Sequence, residues 1–174
     1  MRFVPVHAAL LLAGSSSVAQ AAPSRAVVVG SNRAGVGQVP LRWAGADADR
    51  VAAVLTELGG FAPEAVERLQ DPSPDELIAA IDRAAEALAA EGPEGGRFVF
   101  YYSGHARSGS LTLGPDELSI DVLDLALEAV PAQQTLAVLD ACQAGEPGVA
   151  KGAVPAAQFS FVSVAGLSTT GTAV

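Results

Sequence analysis

The sequence predicts an α/β protein with a mostly parallel sheet that carries helices on both faces. Apolar, β-prone runs recur along the chain, and the segments between several of them carry apolar residues at helical spacing. Two of these runs, residues 97–106 and 135–145, each stop at a reactive side chain followed by small residues. Because the carboxyl ends of parallel strands meet at one sheet edge, we expect His105 and Cys142 to lie at that edge.

The totals are those of one globular domain with a sizeable core. The chain has 174 residues, of which 50% are hydrophobic and 17% are charged. Its formal charge is -9, and no cluster of Lys and Arg is present. These features argue against nucleic acid as a partner.

The first 21 residues have the pattern of a secretory signal peptide. A positive start at Arg2 precedes an apolar stretch around residues 10–12, and Ala19-Gln20-Ala21 has the small-x-small form of a cleavage site. We therefore predict a signal peptide over residues 1–21, a domain over residues 22–174, and an exported protein, periplasmic or secreted, without a membrane partner after cleavage. The alternative is an apolar N-terminal helix of the fold.

The first half of the domain is predicted to run strand, loop, helix, strand, helix. The strands are expected at residues 26–30 and 65–69, and the Gly-rich residues 31–40 satisfy neither nucleotide-binding pattern, which leaves a flexible loop. A helix over residues 47–58 is predicted from an apolar stripe at Val51, Val54, Leu55 and Leu58. Ser73 and Glu76 form a capping box at the start of the next helix. Trp43 is expected to pack.

The second half repeats this alternation around a hairpin. The strand ending at His105 precedes a small strand and turn at residues 110–115, and Ser119 can cap a helix that ends near Pro131. The strand ending at Cys142 leads to an exposed loop over residues 146–157 and a strand or ordered segment at 159–164. Residues 171–174 look like the start of another strand, so we expect the chain to be a C-terminally truncated fragment.

A thiol and an imidazole are the reactive groups of the predicted domain. After signal removal His105 is the one histidine and Cys142 the one cysteine, so an internal disulfide is impossible. A thiol beside an imidazole is the minimal equipment for nucleophilic attack on a carbonyl. A buried, inert cysteine is the alternative. Ser103 lacks the Gly-x-Ser-x-Gly context of a serine hydrolase.

Two motifs carry a resemblance to a known family: Tyr-Tyr-Ser-Gly-His-Ala at residues 101–106 and Asp-Ala-Cys-Gln-Ala-Gly at residues 140–145. Together they resemble the caspase and metacaspase cysteine peptidases of family C14, most closely the bacterial exported type. The interval from His105 to Cys142 is shorter than the roughly 50 residues of the caspase signature, but the order of the two residues is kept. Residues 41–55 also resemble the first loop and helix of the family. The resemblance covers about residues 25–145 and implies a caspase-like three-layer sandwich.

The resemblance implies a role for each residue of the two motifs. Cys142 would be the nucleophile, and His105 would act as base and acid. The backbone N–H groups of Ala106 and Cys142 would form the oxyanion hole. The family usually has Gly where this chain has Ala106, and it requires no third residue, of which none is obvious.

Two carboxylates are candidates for binding substrate. Asp140 precedes Cys142 by two strand positions and should share its face, where it could pair with a basic side chain. In metacaspases an Asp at this position accompanies cleavage after Arg or Lys, and the resemblance implies that Asp47 supplies a second carboxylate. The alternatives are a helix-end charge for Asp47 and a turn or cap residue for Asp140.

The predicted activity is that of a cysteine endopeptidase that acts on peptide or protein substrates after Arg or Lys. No cofactor is expected, and the sequence has no EF-hand spacing, so calcium and the oligomeric state are left open. One alternative is a catalytically inactive caspase-like domain that serves as an interaction or regulatory module. Another is an α/β binding module in which the His and Cys are structural.

Overall fold

The computed structural model describes residues 22–91, 96–143 and 160–162. Strands and helices alternate in the predicted order. The strands are β1 Ser24–Gly30, β2 Val66–Gln70, β3 Arg97–Arg107, β4 Ser110–Leu113, β5 Asp116–Ser119, β6 Gln134–Gln143 and β7 Ser160–Val162. The helices are α1 Ala44–Glu57, α2 Pro74–Glu91 and α3 Ile120–Glu128, with a short 3₁₀ turn at Pro63–Ala65 before β2.

The sheet is mostly parallel and has β3 at its centre. Strand β1 lies between β2 and β3, β6 pairs with the other side of β3, and all of these pairs are parallel. The β4–β5 hairpin is antiparallel, and β4 pairs with residues 105–107 of β3, beyond the point where the pairing with β1 ends at Ser103. The hairpin therefore occupies the sheet position just past the carboxyl end of β1.

Helices cover both faces of this sheet, which confirms the predicted three-layer architecture. Along β1 and β3, alternate residues point to opposite faces. Helix α1 packs with Val28 and Tyr101 on one face. Helices α2 and α3 pack with Val27, Phe100 and Tyr102 on the other face, which carries the larger core.

The predicted caps of α2 and α3 are present. The backbone N–H of Ser73 donates to Glu76 Oε2 at 2.7 Å, and the N–H of Glu76 donates to Ser73 Oγ at 3.2 Å. These reciprocal bonds satisfy two N–H groups that lack partners within the helix. At α3, Ser119 Oγ accepts a hydrogen bond from the N–H of Asp121 at 3.2 Å.

Helix α1 lies on the sheet through part of the predicted stripe, Val51 and Leu55, together with small residues near its start. It begins at Ala44, and its buried residues are Ala44, Gly45 and Ala48, whereas Val54 is 53% and Leu58 82% exposed. Small residues decide this contact: a Cβ at Gly30 would lie 2.6 Å from the carbonyl oxygen of Ala44. The prediction that the apolar stripe faces the core was wrong for its two exposed members.

The ends of the chain are described only in part. Ser160–Val162 forms β7, which pairs antiparallel with β6, so the predicted segment there is a strand. The predicted signal peptide, the 146–157 loop and residues 171–174 lie outside the described residues. Within the part of the chain that the structure describes, no helix is both long enough and apolar enough to cross a membrane.

Candidate active site

The backbone places His105 and Cys142 side by side at the carboxyl edge of the sheet. They are register partners in the parallel ladder between β3 and β6, which continues one pair further, to Ala106 and Gln143. Adjacent strands lie about 4.8 Å apart in a sheet. The sequence expectation that the two motifs converge is met at the level of the backbone, and their catalytic roles stay predictions.

His105 is held by a backbone carbonyl that sequence reasoning missed. The side chain is buried, and its Nε2 lies 2.8 Å from the carbonyl oxygen of Val39. A carbonyl oxygen only accepts, so this bond requires a proton on Nε2. In the neutral imidazole Nδ1 then keeps the lone pair, which is the form that can take a proton from a thiol. The contact uses a backbone carbonyl and depends on no particular side chain, so no pattern in the sequence indicates it.

The Gly-rich loop that supplies this carbonyl is tied to the protein, in contrast to the predicted flexible loop. The carbonyl oxygen of Asn32 accepts a hydrogen bond from the N–H of Leu41 at 2.9 Å, which closes the loop on itself. The guanidinium of Arg107 donates to the carbonyl oxygen of Val36 at 3.1 Å. The backbone N–H of Ser31 donates to the carbonyl oxygen of Ser103 at 2.8 Å. The last two bonds anchor the loop to β3.

Tyr102 holds the backbone of His105 from the opposite face of the sheet. Its hydroxyl lies 2.7 Å from the carbonyl oxygens of His105 and Thr112, so its one proton joins β3 to the hairpin. Burial raises the pKa of Tyr102 well above its ordinary value, which keeps this donor protonated. The ring lies directly over Gly104, where an added Cβ would be 2.5 Å from Cζ.

Asp140 lies two residues before Cys142 on β6, and it is exposed. Its register partner is Ser103, and the hydroxyl of Tyr101 donates to its Oδ2 at 3.2 Å. Burial, followed by the negative charge of Asp140, raises the pKa of Tyr101 to about 12. The charge of Asp47 acts in the same direction, and the Ser103 hydroxyl acts against it. Both predicted carboxylates therefore lie within electrostatic reach of one phenol.

Asp47 lies in the first turn of α1, where it favours the positive end of the helix. Its Oδ1 accepts a hydrogen bond from the guanidinium of Arg50 at 2.8 Å, and both side chains of this pair are partly exposed. Trp43, expected to pack, precedes this helix and is 67% exposed. The site edge thus presents one carboxylate held by a tyrosine and one held by a local ion pair.

The remaining site predictions are not tested by this geometry. Ala106 pairs with Gln143 on one side and with Leu111 on the other. Among the described residues, no group of three or more His, Cys, Asp or Glu side chains is placed to hold a metal ion. The roles of Ala106 and Cys142 in an oxyanion hole therefore stay predictions. Whether the domain binds calcium stays open.

The fold and the edge define a class: a mostly parallel three-layer α/β domain with a histidine and a cysteine on neighbouring strands. The family model of the caspase domain, peptidase C14, matches residues 23–167. The chain belongs to this caspase-domain family, which confirms the resemblance of its two motifs. No curated protein matches the chain.

Solved structures show the same fold. A protein from Geobacter sulfurreducens is 26% identical, with a TM-score of 0.58, and the match covers 71% of this chain and 52% of that one. Caspase-1 from Spodoptera frugiperda is 18% identical, with a TM-score of 0.59 and coverage of 72% and 49%. The structure of pro-sf-caspase-1 is 17% identical, with a TM-score of 0.58 and coverage of 78% and 52%. The chain spans about half the length of these structures.

Proposed function

We propose that this domain is a cysteine endopeptidase in which Cys142 and His105 form the catalytic dyad. One observation carries the proposal: the two residues are register partners on β3 and β6. The Val39 carbonyl supports it, because its contact with Nε2 requires a proton on that nitrogen of His105. Membership of the peptidase C14 family supports protein or peptide substrates. The chemistry follows from the groups themselves.

In the first half of the reaction, Nδ1 of His105 takes the proton of the Cys142 thiol, and the thiolate attacks the scissile carbonyl carbon. The tetrahedral intermediate collapses as the C–N bond breaks and His105 returns the proton to the leaving amine. In the second half, Nδ1 takes a proton from water as the water oxygen attacks the acyl carbon. The C–S bond then breaks, the acid product leaves, and His105 returns the proton to the Cys142 thiolate. Throughout, the Val39 carbonyl accepts from Nε2 and stabilises the imidazolium when it forms.

We further propose that the substrate residue before the scissile bond is Arg or Lys. Asp140 is exposed, lies two positions before Cys142, and is oriented by the Tyr101 hydroxyl. A guanidinium or ammonium group of the substrate would form a charge-assisted hydrogen bond with Asp140. Asp47 would add a second negative charge that attracts the same group. An acidic side chain would be repelled by both carboxylates.

An electrophilic peptide probe that ends in Arg tests this proposal. We expect the full-length protein to be labelled at Cys142, and we expect labelling to be lost in Cys142→Ala and strongly reduced in His105→Ala. An Asp-ended probe is the matched control and should label poorly. Preferential labelling by the Asp-ended probe would overturn the specificity. Repeating the assay with added Ca²⁺ and with a chelator measures any dependence on calcium.

A second candidate, a catalytically inactive caspase-like domain used for interaction, is favoured by the position of Ala106. The two-residue turn at Ser108 and Gly109 makes Arg107 and Ser110 a hydrogen-bonded pair, so the N–H of Ala106 points away from β4. It points toward β6, where the ladder still pairs Ala106 with Gln143. An N–H that bonds within a ladder cannot also donate to an oxyanion, so this direction argues against Ala106 as a donor of the oxyanion hole. Absence of labelling by either probe in folded protein would support this candidate.

A further inference from the structure

The residue at the end of β2, Asp71, has a backbone conformation that glycine would adopt more readily. Its φ is 49°, in the left-handed region that disfavours most side chains. Its N–H donates to the carbonyl oxygen of Gly30 at 2.9 Å, which fixes it beside the end of β1. The contacts of the Asp71 side chain show what a residue other than glycine contributes at this position.

The carboxylate of Asp71 holds the beginning of the Gly-rich loop. Oδ1 accepts hydrogen bonds from the backbone N–H groups of Asn32 at 2.6 Å and Arg33 at 3.0 Å, and Oδ2 accepts one from Gln70 Nε2 at 2.8 Å. The guanidinium of Arg33 donates in return to the carbonyl oxygen of Asp71 at 2.6 Å. Burial alone would raise the pKa of Asp71, but these hydrogen bonds and the charge of Arg33 outweigh it and lower the pKa.

Asn32 passes this constraint to the far end of the loop. Its carbonyl oxygen accepts the N–H of Leu41 at 2.9 Å, and its side-chain oxygen accepts the N–H of Gly45 at 3.2 Å. Leu41 follows Val39 by two residues, and Val39 is the residue whose carbonyl oxygen meets Nε2 of His105. Hydrogen bonds and a short piece of chain thus connect the carboxylate to the imidazole.

We propose that Asp71 is a positioning residue for His105: its carboxylate fixes the loop that presents the Val39 carbonyl and thereby sets the tautomer of the imidazole. The catalytic consequence rests on the proposed peptidase function, but the effect on the tautomer does not. Without the carboxylate, the loop loses two backbone anchors and the carbonyl loses its fixed position. The ring of His105 then samples both neutral tautomers.

The tautomer of His105 can be measured by ¹⁵N NMR on full-length protein with labelled histidine, the signals being assigned by their loss in His105→Ala. We expect the Nε2–H form in the wild type and a mixture of tautomers in Asp71→Gly, a substitution that suits the observed φ. Asp71→Asn tolerates the same φ and keeps one oxygen, so its mixture should be smaller. Glu67→Gln is the matched control: it removes a carboxylate from β2 that pairs with Arg83 of α2. An unchanged tautomer in folded Asp71→Gly would overturn the proposal.

Kinetics supply a second test when the wild type cleaves peptides. We expect Asp71→Gly to lower kcat on the order of tenfold with little change in KM, because small misplacements of catalytic groups slow the chemical step. In a His105→Ala background the same substitution should cause no further loss. An equal loss in both backgrounds would show that Asp71 acts through general structure and would overturn the proposal. If no variant cleaves peptides, the proposed function fails while the NMR test of Asp71 still applies.

Discussion

The carbonyl oxygen of Val39 lies 2.8 Å from Nε2 of His105, across 66 residues of sequence. This bond gives a loop residue control over which nitrogen of the imidazole carries a proton. It also makes the conformation of a single peptide unit part of the site. The residue that follows Val39 is Pro40, whose ring restricts the preceding residue to extended conformations.

Replacing this proline should therefore weaken the site. We expect Pro40→Ala to lower kcat/KM severalfold and the free energy of unfolding by about 0.4–1 kcal/mol, because Val39 gains freedom in the native and unfolded chains. Peptide cleavage and urea denaturation measure the two effects. Pro63→Ala, the same change in an exposed 3₁₀ turn away from the loop, is the control. Equal activity in the two variants would contradict the role assigned to the loop.

A methyl group at position 104 should damage both stability and activity. The Cβ of Gly104→Ala would meet the ring of Tyr102, 2.5 Å from Cζ, and Tyr102 is fully buried. We expect a loss of about 1–3 kcal/mol in the free energy of unfolding and a displaced His105 backbone. Gly96→Ala is the control, because its Cβ would lie 3.1 Å from Cδ2 of Leu88, a contact that a small shift of that side chain relieves. A loss in Gly96→Ala as large as that in Gly104→Ala would argue against the packing explanation.

Tyrosine ionisation should be delayed in the folded protein. Burial and the charge of Asp140 raise the pKa of Tyr101 from 10.0 to about 12, and burial raises that of Tyr102 as well. The chain has two tyrosines, so little tyrosinate absorbance is expected at pH 10, whereas the urea-unfolded chain should be half ionised there. Normal titration in folded protein would disprove the burial of both phenols.

The same shift makes stability depend on pH in a defined direction. A group whose pKa is raised in the folded state binds more protons in the folded than in the unfolded chain between the two pKa values. The contribution of Tyr101 is therefore complete below pH 10 and is lost as the pH rises from about 10 to about 12. Tyr101→Phe should flatten the fall of the free energy of unfolding over this window in urea titrations.

Removing the charge at position 140 should reduce selectivity for basic residues. We expect Asp140→Asn to lower kcat/KM for Arg-ended reporters roughly tenfold to a hundredfold, the range that corresponds to about 1.5–3 kcal/mol for a hydrogen bond to a charged group. Reporters with a neutral residue there should be affected much less. Asp82→Asn, an exposed carboxylate on α2 at the opposite face, is the control. A uniform loss across all reporters would indicate that Asp140 supports the fold instead of selecting the substrate.

Export should remove the first 21 residues. We expect the protein recovered from outside the cytoplasm of a bacterial host to begin at Ala22, because Ala19 and Ala21 have the small side chains that a signal peptidase requires. Mass spectrometry of the N-terminal peptide identifies the first residue. Ala21→Leu should block cleavage. An uncleaved wild-type protein would favour the alternative of an N-terminal helix that belongs to the fold.

The sequence by itself determined the order of the elements, the caps at Ser73 and Ser119, and the convergence of His105 and Cys142. These features depend on local patterns: hydrophobic period, capping residues, and the rule that parallel strands share a carboxyl edge. The tertiary structure decided how much of the predicted face of α1 is buried: Val51 and Leu55 pack on the core, Val54 and Leu58 are exposed, and the close approach at Gly30 requires small residues at the start of the helix. It also decided how His105 is held, since a backbone carbonyl has no side-chain signature and only the folded loop brings Val39 to the imidazole.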